Sequence, residues 1–251
     1  MNIALVGYGK MGREIESVAQ LRGHTITARF TSVSPLPPAD SALYSSQLID
    51  CFIDFSIAES VPNTMEVCSR LGIPLIEGTT GWQGSQDALL AAAASMNGTV
   101  IYGNNFSVGA QMFFRIVREA AAMMDSFPGY DVSIHETHHT RKKDSPSGTA
   151  LTIAQHIIDT MHRKNTVNSD LNTSGIRPEE ISIASSRVGS VFGMHSVLFH
   201  SMADEIELIH RAHDRSGFAY GAVLAAEMTK IFRGISSFDT LLFNTSLINK
   251  G

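Results

Sequence analysis

Short apolar runs alternate with longer amphipathic segments along the first hundred residues. Residues 3–6 form a continuous apolar run typical of a strand buried on both faces, and residues 11–21 carry apolar side chains at helical spacing. Further strand-like runs lie at residues 25–30, 51–55, 73–76 and 100–102, with helical patterns at 61–71 and 89–96. Strands that alternate with helices predict an α/β fold with a doubly wound parallel sheet, which we assign to a domain of residues 1–106.

The pattern changes after residue 106. A helical pattern covers residues 108–124, and residues 130–136 alternate apolar and polar side chains with the period of two that predicts a strand. The polar residues 165–178 predict a loop, and three β-like runs follow at 181–188, 191–200 and 205–210. Residues 107–216 are therefore expected to form a second, C-terminal α+β domain with a mainly antiparallel or mixed sheet.

The end of the chain returns to a helical pattern. Apolar residues at helical spacing span residues 217–232. We expect the C-terminal helical segment, residues 217–251, to pack back on the first domain.

A glycine-rich turn directly follows the first predicted strand and precedes the first predicted helix. Its G-x-G-x-x-G spacing allows a tight turn, close approach to a pyrophosphate and close helix packing. In this context the motif predicts a Rossmann-type dinucleotide site, although a glycine turn that only joins two elements is the alternative. The residues of the predicted site are Gly7, Tyr8, Gly9, Lys10, Met11 and Gly12.

The end of the second predicted strand bears on the choice of cofactor. A site selective for NAD would place Asp or Glu there to bind the ribose 2′-hydroxyl, but no acidic residue occurs between Leu21 and Ala39. The strand instead carries Arg29, whose guanidinium can bind the 2′-phosphate of NADP, and Lys10 adds positive charge nearby. We therefore expect NADPH, with NADH as the alternative because Arg29 can also be a simple surface charge.

Small and polar residues follow the fourth and fifth predicted strands. Ligands of doubly wound sheets bind at the carboxyl ends of the strands, so these residues are expected to line the cofactor. Turn formation alone would also select them. They are Gly78, Thr79 and Thr80 after the fourth strand, and Gly103, Asn104, Asn105 and Phe106 after the fifth.

Residues 134–150 contain a dense group of titratable side chains: His135, Glu136, His138, His139, Arg141, Lys142 and Lys143. Ser147, Gly148 and Thr149 follow, just before the apolar positions of a helix predicted to begin near Gly148. The free N–H groups at such a helix start can bind an anion. Histidine and lysine beside an anion site predict acid–base chemistry on a small anionic substrate, whereas a solvated charged loop is the alternative.

The same stretch matches a zinc-protease motif. His135, Glu136 and His139 satisfy H-E-x-x-H, in which two histidines one helical turn apart bind the metal. The strand pattern at 130–136 is incompatible with that helix, so we expect no metal. A zinc-dependent hydrolase that uses these three residues is kept as an alternative function.

Composition and charge exclude other classes of protein. The chain has 251 residues, of which 43% are hydrophobic and 17% charged, as in ordinary soluble domains. A net charge of −5 argues against a nucleic-acid partner, and the longest apolar run, residues 88–94, is too short to span a membrane. The two cysteines have no C-x-x-C spacing, which favours reduced thiols and a cytoplasmic location.

A series of short motifs extends along nearly the whole chain. Besides the glycine turn and residues 54–56, 78–81 and 105–109, they comprise an E-x-H-H-x-x-K-x-D-x-P-S-G-T-A signature at 136–150, Arg187-x-Gly-x-x-x-Gly-x-His195 and His210-x-Ala-x-x-Arg215. Together they resemble the 4-hydroxy-tetrahydrodipicolinate reductase (dihydrodipicolinate reductase) family. This resemblance implies NAD(P)H-dependent reduction of 4-hydroxy-tetrahydrodipicolinate, a small dicarboxylate, to tetrahydrodipicolinate in lysine and diaminopimelate biosynthesis.

The resemblance also implies residue roles and an assembly. His138 is implied as the catalytic acid or base and Lys142 as a proton donor, with Asp144 ordering the loop by pairing with Lys142 or Arg141. A homotetramer is implied, with residues 107–216 as the substrate-binding and oligomerisation domain. A non-catalytic NAD(P)H-sensing module is a further alternative. The implied substrate-binding residues are His139, Ser147, Gly148 and Thr149.

Overall fold

The computed structural model describes residues 1–46, 48–170 and 175–244 of the chain. These residues form two compact units. The first unit comprises Met1–Val108 and the segment that starts at Arg215, and the second comprises Gly109–Asp214. The polypeptide therefore leaves the first unit once and returns to it.

The N-terminal part of the first unit alternates strands and helices, as its apolar pattern predicts. Its strands are β1 (Asn2–Val6), β2 (Thr25–Phe30), β3 (Cys51–Asp54), β4 (Leu75–Glu77) and β5 (Val100–Tyr102). Its helices are α1 (Lys10–Leu21), α2 (Leu43–Ser46), α3 (Val61–Leu71) and α4 (Gln86–Ser95). The strands pair in parallel in the order β2, β1, β3, β4, β5, so the direction in which strands are added reverses at β1.

Side chains that alternate along these strands face two apolar layers. Ile3 and Leu5 of β1 lie in one buried cluster with Ile15 of α1. Ala4 and Val6 lie in a second buried cluster, together with residues of α3. Burial on both faces explains why the strands of this unit are continuous apolar runs.

The second unit contains two longer helices and a five-stranded sheet. Its elements are α5 (Val108–Asp125), β6 (Asp131–His138), α6 (Gly148–Ile158), β7 (Thr166–Asn168), β8 (Glu180–Arg187), β9 (Gly193–His200) and β10 (Glu205–Ala212). The strand order is β10, β9, β6, β8, β7. The pairs β10–β9 and β9–β6 are antiparallel, whereas β6–β8 and β8–β7 are parallel, so the sheet is mixed.

The core of the second unit lies between its helices and one face of the sheet. Val132 and Ile134 of β6 are buried in a cluster with Phe113 of α5 and Ile153 of α6. The intervening residues of β6 are partly buried at most, which is the period of two seen in the sequence. This alternation determines which side chains near the end of β6 share the face of the core.

The C-terminal segment completes the first unit. Its elements are α7 (Ser216–Met228), β11 (Ile235–Ser237) and α8 (Phe238–Leu242), and β11 pairs in parallel with β5 as the sixth strand. Ala219 and Ala222 of α7 join the buried cluster of Ile3 and Leu5. At Gly221 a Cβ atom would lie 1.7 Å from the carbonyl oxygen of Phe106, so only glycine permits this close approach.

The predicted α/β class, with a Rossmann-type parallel sheet and a second α+β sheet, is confirmed, but several details of the prediction were wrong. The expected loop at 165–178 contains β7, and residues 171–174 of it lie outside the described residues. The segment 217–251 is not one helix, because α7 ends at Met228 and β11 follows; residues 245–251 are outside the description. None of the helices within the described residues is both long and apolar enough to cross a membrane.

Candidate functional site

The glycine turn after β1 has the geometry that a dinucleotide requires. Gly7 has a φ of +85°, and a Cβ atom on it would lie 2.4 Å from the carbonyl oxygen of Phe55. A Cβ atom on Gly12 would lie 2.3 Å from the oxygen of Gly7, whereas nothing lies within 4 Å of a Cβ position on Gly9. The first and third glycines therefore close the turn, and the second leaves its backbone open to a ligand.

A cavity of about 500 Å³ opens beside this turn in the first unit. It lies where the strand order reverses, between the carboxyl ends of β1 and β3, which is where doubly wound sheets bind nucleotides. Its lining includes Gly7, Tyr8, Gly9, Thr31 and Ser56. An open glycine turn and a cavity of this size fit a nicotinamide dinucleotide.

Arg29, the predicted phosphate-binding residue, is already paired. Its Nε donates to Glu16 Oε2 at 3.0 Å, its terminal nitrogen contacts Glu16 Oε1, and its guanidinium lies 5.4 Å from the centre of the Tyr8 ring. The Tyr8 hydroxyl also donates to Glu16. The hydrogen bond from Arg29 lowers the pKa of Glu16, so this carboxylate is ionised and neutralises part of the charge that a 2′-phosphate would meet.

The residues that follow β4 and β5 differ in which of their groups a ligand could contact. Thr79 is buried, its backbone N–H donates to Glu77 Oε1 at 2.8 Å and its hydroxyl donates to Asp54 Oδ1 at 3.2 Å. Asn104 accepts a hydrogen bond from Gln83, and Thr80 is exposed. The ring of Phe106 is buried and stacks on Phe238 at 4.7 Å. Only the backbone of Phe106 could therefore contact a ligand.

Strand β6 divides the titratable stretch between two faces of the sheet. Glu136 and His138 are buried on the face that carries Val132 and Ile134, next to the start of α6. His135 lies on the opposite face, where its Nε2 is 3.1 Å from Ser186 Oγ, and His139 follows the end of the strand. An extended chain places residues four positions apart at about 13 Å, so His135 and His139 do not lie together as they would on a helix.

Glu136 is fully buried and accepts three hydrogen bonds at one carboxylate oxygen. The donors to Oε1 are Ser147 N at 3.0 Å, Ser185 Oγ at 2.8 Å and an Arg187 guanidinium nitrogen at 3.1 Å. Burial alone would raise the pKa of Glu136, but hydrogen bonds from Ser147, Ser185 and Arg187 outweigh it and lower the pKa to about 2. The carboxylate is therefore charged at any physiological pH.

The other oxygen of Glu136 faces two imidazoles. Glu136 Oε2 lies 2.9 Å from His138 Nδ1 and 3.7 Å from His195 Nε2, and the two rings pack edge to face at 5.1 Å. The 2.9 Å contact has ion-pair distance without hydrogen-bond alignment. Burial lowers the pKa of His138, and burial together with His138 lowers that of His195 to about 4. Both rings are therefore neutral near pH 7 in the free protein.

The start of α6 has two N–H groups without a described acceptor. Ser147 caps the helix, because its hydroxyl accepts from Ala150 N and also contacts His195 Nε2 at 3.2 Å, while its own N–H donates to Glu136. Among the described residues, nothing accepts from the backbone N–H groups of Gly148 and Thr149. The sequence grouped Ser147 with these two residues, but its polar groups are engaged inside the protein.

The loop between β6 and α6 orders Lys142. Its Nζ lies 3.0 Å from Asp144 Oδ2, and Arg187 donates to the carbonyl oxygen of Asp144 at 2.6 Å. The expected pairing of Asp144 with Lys142 is therefore present. Through Arg187, the loop that carries Lys142 is tied to the carboxylate of Glu136.

Three potential metal ligands do lie together, but they are not those of the zinc motif. Ligand atoms of Glu136, His138 and His195 fall within 4.8 Å of one another, and all three residues are buried. Neither His135 nor His139 belongs to this group. The hydrolase site that H-E-x-x-H offers as an alternative is therefore not formed by these residues.

Comparison with known proteins identifies the family. The family model for the N-terminus of dihydrodipicolinate reductase matches residues 1–106, and the model for its C-terminus matches residues 109–242. The 4-hydroxy-tetrahydrodipicolinate reductase of Christiangramia forsetii is 36% identical over 246 residues, covering 96% of this chain and 98% of that protein. The enzyme of the same name from Methanoculleus marisnigri is 38% identical over 78% of this chain and 76% of its own. The chain belongs to the dihydrodipicolinate reductase family.

A solved structure supports the fold of this family member. The dipicolinate-bound dihydrodipicolinate reductase from Paenisporosarcina sp. TG-14 aligns with a TM-score of 0.76 over 96% of this chain and 99% of that one, at 22% identity. The family functions in lysine and diaminopimelate biosynthesis, and this member is an oxidoreductase that uses a nicotinamide cofactor.

Sequence reasoning missed several partners in this reductase. Glu136 entered only as one of the clustered titratable residues and as part of two motifs, although it contacts five other residues of the site. Arg187 and His195 appeared in a recurring motif without a role, and Glu16 was not recognised as the partner of Arg29. The spacing of Arg187 and His195 around Gly189 and Gly193 was the one sequence feature that could have marked them as site residues. No sequence feature marked Glu16 as the partner of Arg29.

The buried Glu136 carboxylate should be visible in the pH dependence of stability. At pH 7, Glu136→Gln should lower the free energy of unfolding by about 2 kcal/mol, because Arg187 loses its charged partner in a buried site. The folded pKa of about 2 lies below the usual carboxyl value, so this contribution is present above about pH 4 and is lost as pH falls toward 2. Urea unfolding at several pH values should show the gap between wild type and variant closing in acid.

A matched control is Glu66→Gln, which removes an exposed carboxylate that pairs with Arg70 within α3. Its effect should stay within about 0.5 kcal/mol and change little with pH. Equal effects of the two substitutions at pH 7 would contradict the account of Glu136.

Proposed function

We propose that this chain reduces 4-hydroxy-tetrahydrodipicolinate to tetrahydrodipicolinate, consuming NAD(P)H and a proton and releasing water. The observation that carries the proposal is the pair of Glu136 and His138 beside the unbonded N–H groups of Gly148 and Thr149. A buried acid–base pair next to an anion site suits the reduction of a dicarboxylate. Membership of the family and the names of its curated relatives agree with this reaction.

The substrate carboxylates are assigned to the start of α6 and to His139. Gly148 and Thr149 offer N–H groups at the positive end of the helix dipole. His139 Nδ1 is buried and has no hydrogen-bond partner among the described residues, so a bound carboxylate would satisfy it. Ser147 acts by capping α6 instead of touching the substrate.

His138 and Lys142 are assigned to proton supply. The nicotinamide, when bound, supplies the hydride. Glu136 faces Nδ1 of His138, which leaves Nε2 as the atom that exchanges a proton with the substrate. A Cβ atom on Gly193 would lie 3.1 Å from that Nε2, so glycine at this position keeps the atom accessible. Lys142, held by Asp144, adds a second proton donor and a positive charge beside a dianionic substrate.

For the cofactor, we propose NADPH with NADH also accepted. Arg29 lies at the end of β2, where the 2′-phosphate of NADPH binds in sites of this type, and no carboxylate on that strand competes for it. Glu16 neutralises part of the Arg29 charge, which makes the preference modest. Gly78, Thr79, Thr80, Gly103, Asn104 and Asn105 are assigned to the same cofactor site.

We also assign the second unit to substrate binding and oligomerisation, in a cytoplasmic homotetramer. Exposed apolar side chains on α5 and β10 support an assembly, among them Met112, Ile116, Ile206 and Ile209. Both cysteines are free and buried, which suits a reducing compartment.

The reaction itself is tested with the purified full chain. NADPH or NADH mixed with enzymatically prepared 4-hydroxy-tetrahydrodipicolinate should lose the absorbance of the reduced nicotinamide. His138→Gln should lower kcat about 10²- to 10⁴-fold, the usual contribution of a general acid or base. His162→Gln, on an exposed histidine after α6, should leave kcat unchanged. Absence of turnover with both cofactors, despite tight binding of either, would replace the reductase with a sensing module.

The pH profile tests the proton role of His138. Its lowered pKa leaves the ring neutral in the free enzyme, and a bound dianion should raise that pKa. If protonated His138 is the acid, activity falls as pH rises through its pKa. The fall in kcat/KM, which reports the free enzyme, should therefore come at lower pH than the fall in kcat, which reports the complex. Coincident profiles, or profiles unchanged in His138→Gln, would remove His138 from proton transfer.

Cofactor choice is tested through the Arg29 pair. Glu16→Gln should free Arg29 and tighten NADPH binding several-fold while NADH binding stays the same, and Arg29→Ala should weaken NADPH binding about tenfold. Glu66→Gln breaks a comparable pair on α3 and should change neither dissociation constant. Equal effects of Arg29→Ala on both cofactors would show that the guanidinium does not read the 2′-phosphate.

A further inference from the structure

Two carboxyl groups are buried side by side at the carboxyl ends of β3 and β4. Asp54 and Glu77 are both 0% exposed and are register partners in the parallel pair of these strands. Partners on adjacent strands lie about 4.8 Å apart and point to the same face of the sheet. That face carries the apolar cluster of Phe52 and Leu75 against α3, so water does not reach the two acids.

Each acid uses only one of its oxygens. Asp54 Oδ1 accepts from Ser56 N at 2.9 Å and from Thr79 Oγ1 at 3.2 Å, and Glu77 Oε1 accepts from Thr79 N at 2.8 Å. The remaining oxygens, Asp54 Oδ2 and Glu77 Oε2, are buried and have no partner among the described residues. An unpaired buried carboxylate oxygen is costly, so this arrangement requires an explanation.

The groups around the pair supply no compensating charge. Val6 of β1 is the register partner of Asp54, Tyr102 of β5 is that of Glu77, and Thr64 and Cys68 of α3 face the pair. No lysine, arginine or histidine among the residues that the structure describes forms an ion pair with either acid. Burial raises the pKa of Asp54, and burial together with the charge of Asp54 raises that of Glu77. Two negative charges would not be stable here.

We propose that Asp54 and Glu77 share one proton between Oδ2 and Oε2, and that this pair positions Ser56 and Thr79 for the nicotinamide cofactor. One hydrogen satisfies both unpaired oxygens and removes one of the two charges. The single remaining charge is stabilised by the three donors from Ser56 and Thr79. The positioning role rests on the proposed function, whereas the shared proton does not.

The pair contacts two chain segments, one of which lines the cofactor cavity, and Ser56 N donates to Thr79 Oγ1 at 3.1 Å between them. Ser56 follows β3 and lines the cavity beside Gly7. Thr79 follows β4, and its carbonyl oxygen accepts from Trp82 Nε1 at 2.8 Å, which fixes the loop further. Loss of the proton would place two repelling carboxylates beneath both segments and weaken cofactor binding.

Amide substitutions test the shared proton directly. Asp54→Asn and Glu77→Gln each replace it with a permanent N–H donor aimed at the remaining carboxylate, so each single variant should unfold at a urea midpoint close to wild type. The double variant places two amide donors face to face with no acceptor. Its midpoint should fall by much more than the sum of the single effects. Additive effects, or single variants as unstable as the double, would overturn the shared proton.

The pH dependence of unfolding gives an independent test that needs only the single variants. A carboxyl whose pKa is raised on folding stabilises the protein below its unfolded pKa, near 4, and that contribution is lost as pH rises through the folded pKa. The wild-type urea midpoint should therefore decline more steeply with rising pH than that of Glu77→Gln or Asp54→Asn. The difference in slope should correspond to the release of one additional proton on unfolding. Glu66→Gln should keep the wild-type slope. Equal slopes in the wild type and the single variants would exclude the shared proton. A wild-type stability that falls when a chelator is added would also exclude it, because a metal ion would then lie between the two carboxylates.

Cofactor binding tests the positioning role separately. Dissociation constants for NADPH at neutral pH should be similar for wild type and single variants and about tenfold weaker for the double variant. Wild-type affinity should decline at alkaline pH, and that of Glu77→Gln should not. Unchanged affinity in every variant would overturn the positioning role. Failure of the wild type to bind either cofactor would instead contradict the proposed function, while a non-additive urea result would still support the shared proton.

Discussion

The arrangement of polar residues in the second unit depends on the free-energy cost of burying one carboxylate, that of Glu136. Removing the charge of Glu136 from water is unfavourable by several kcal/mol unless donors replace the lost hydration. The donors come from three places in the chain: Ser147 at the start of α6, and Ser185 and Arg187 on β8. Because the three donors converge on one oxygen, a single electrostatic requirement relates the positions of β6, β8 and the start of α6.

The direction of strand pairing is what makes this convergence possible. β8 runs parallel to β6, with Ser185 opposite Glu136 and Arg187 opposite His138. Parallel strands end at the same edge of a sheet, so the polar ends of both strands meet beside the start of α6. An antiparallel β8 would bring its amino end to this edge and leave Glu136 without its positive partner.

How much of the structure the sequence predicts depends on whether each feature is encoded by neighbouring residues or by residues far apart in the chain. The glycine turn and the apolar runs of the first unit are local patterns, and the parallel sheet predicted from them is confirmed. β7 and β11 have three residues each, too few to show a period, and the direction of pairing between strands is not encoded locally. The clustering of titratable residues identified the stretch 134–150, and the family resemblance singled out His138 and Lys142 within it. Ser185, Arg187 and His195 lie about 50 residues further along, so only folding reveals their contacts.

The two units use carboxyl groups in opposite ways. Glu136 accepts three hydrogen bonds at one oxygen and remains ionised despite complete burial. Asp54 and Glu77 are equally buried, but each has too few donors, and their pKa values rise. Depth of burial alone therefore does not determine whether an acid is charged; the hydrogen-bond donors and the charges around it also do.

The close approach of Gly221 to Phe106, finally, ties the last part of the chain to the core built by the first. Since α7 packs on one apolar face of β1, a chain emerging from the ribosome cannot complete the core of its first unit until the inserted second unit has been synthesised.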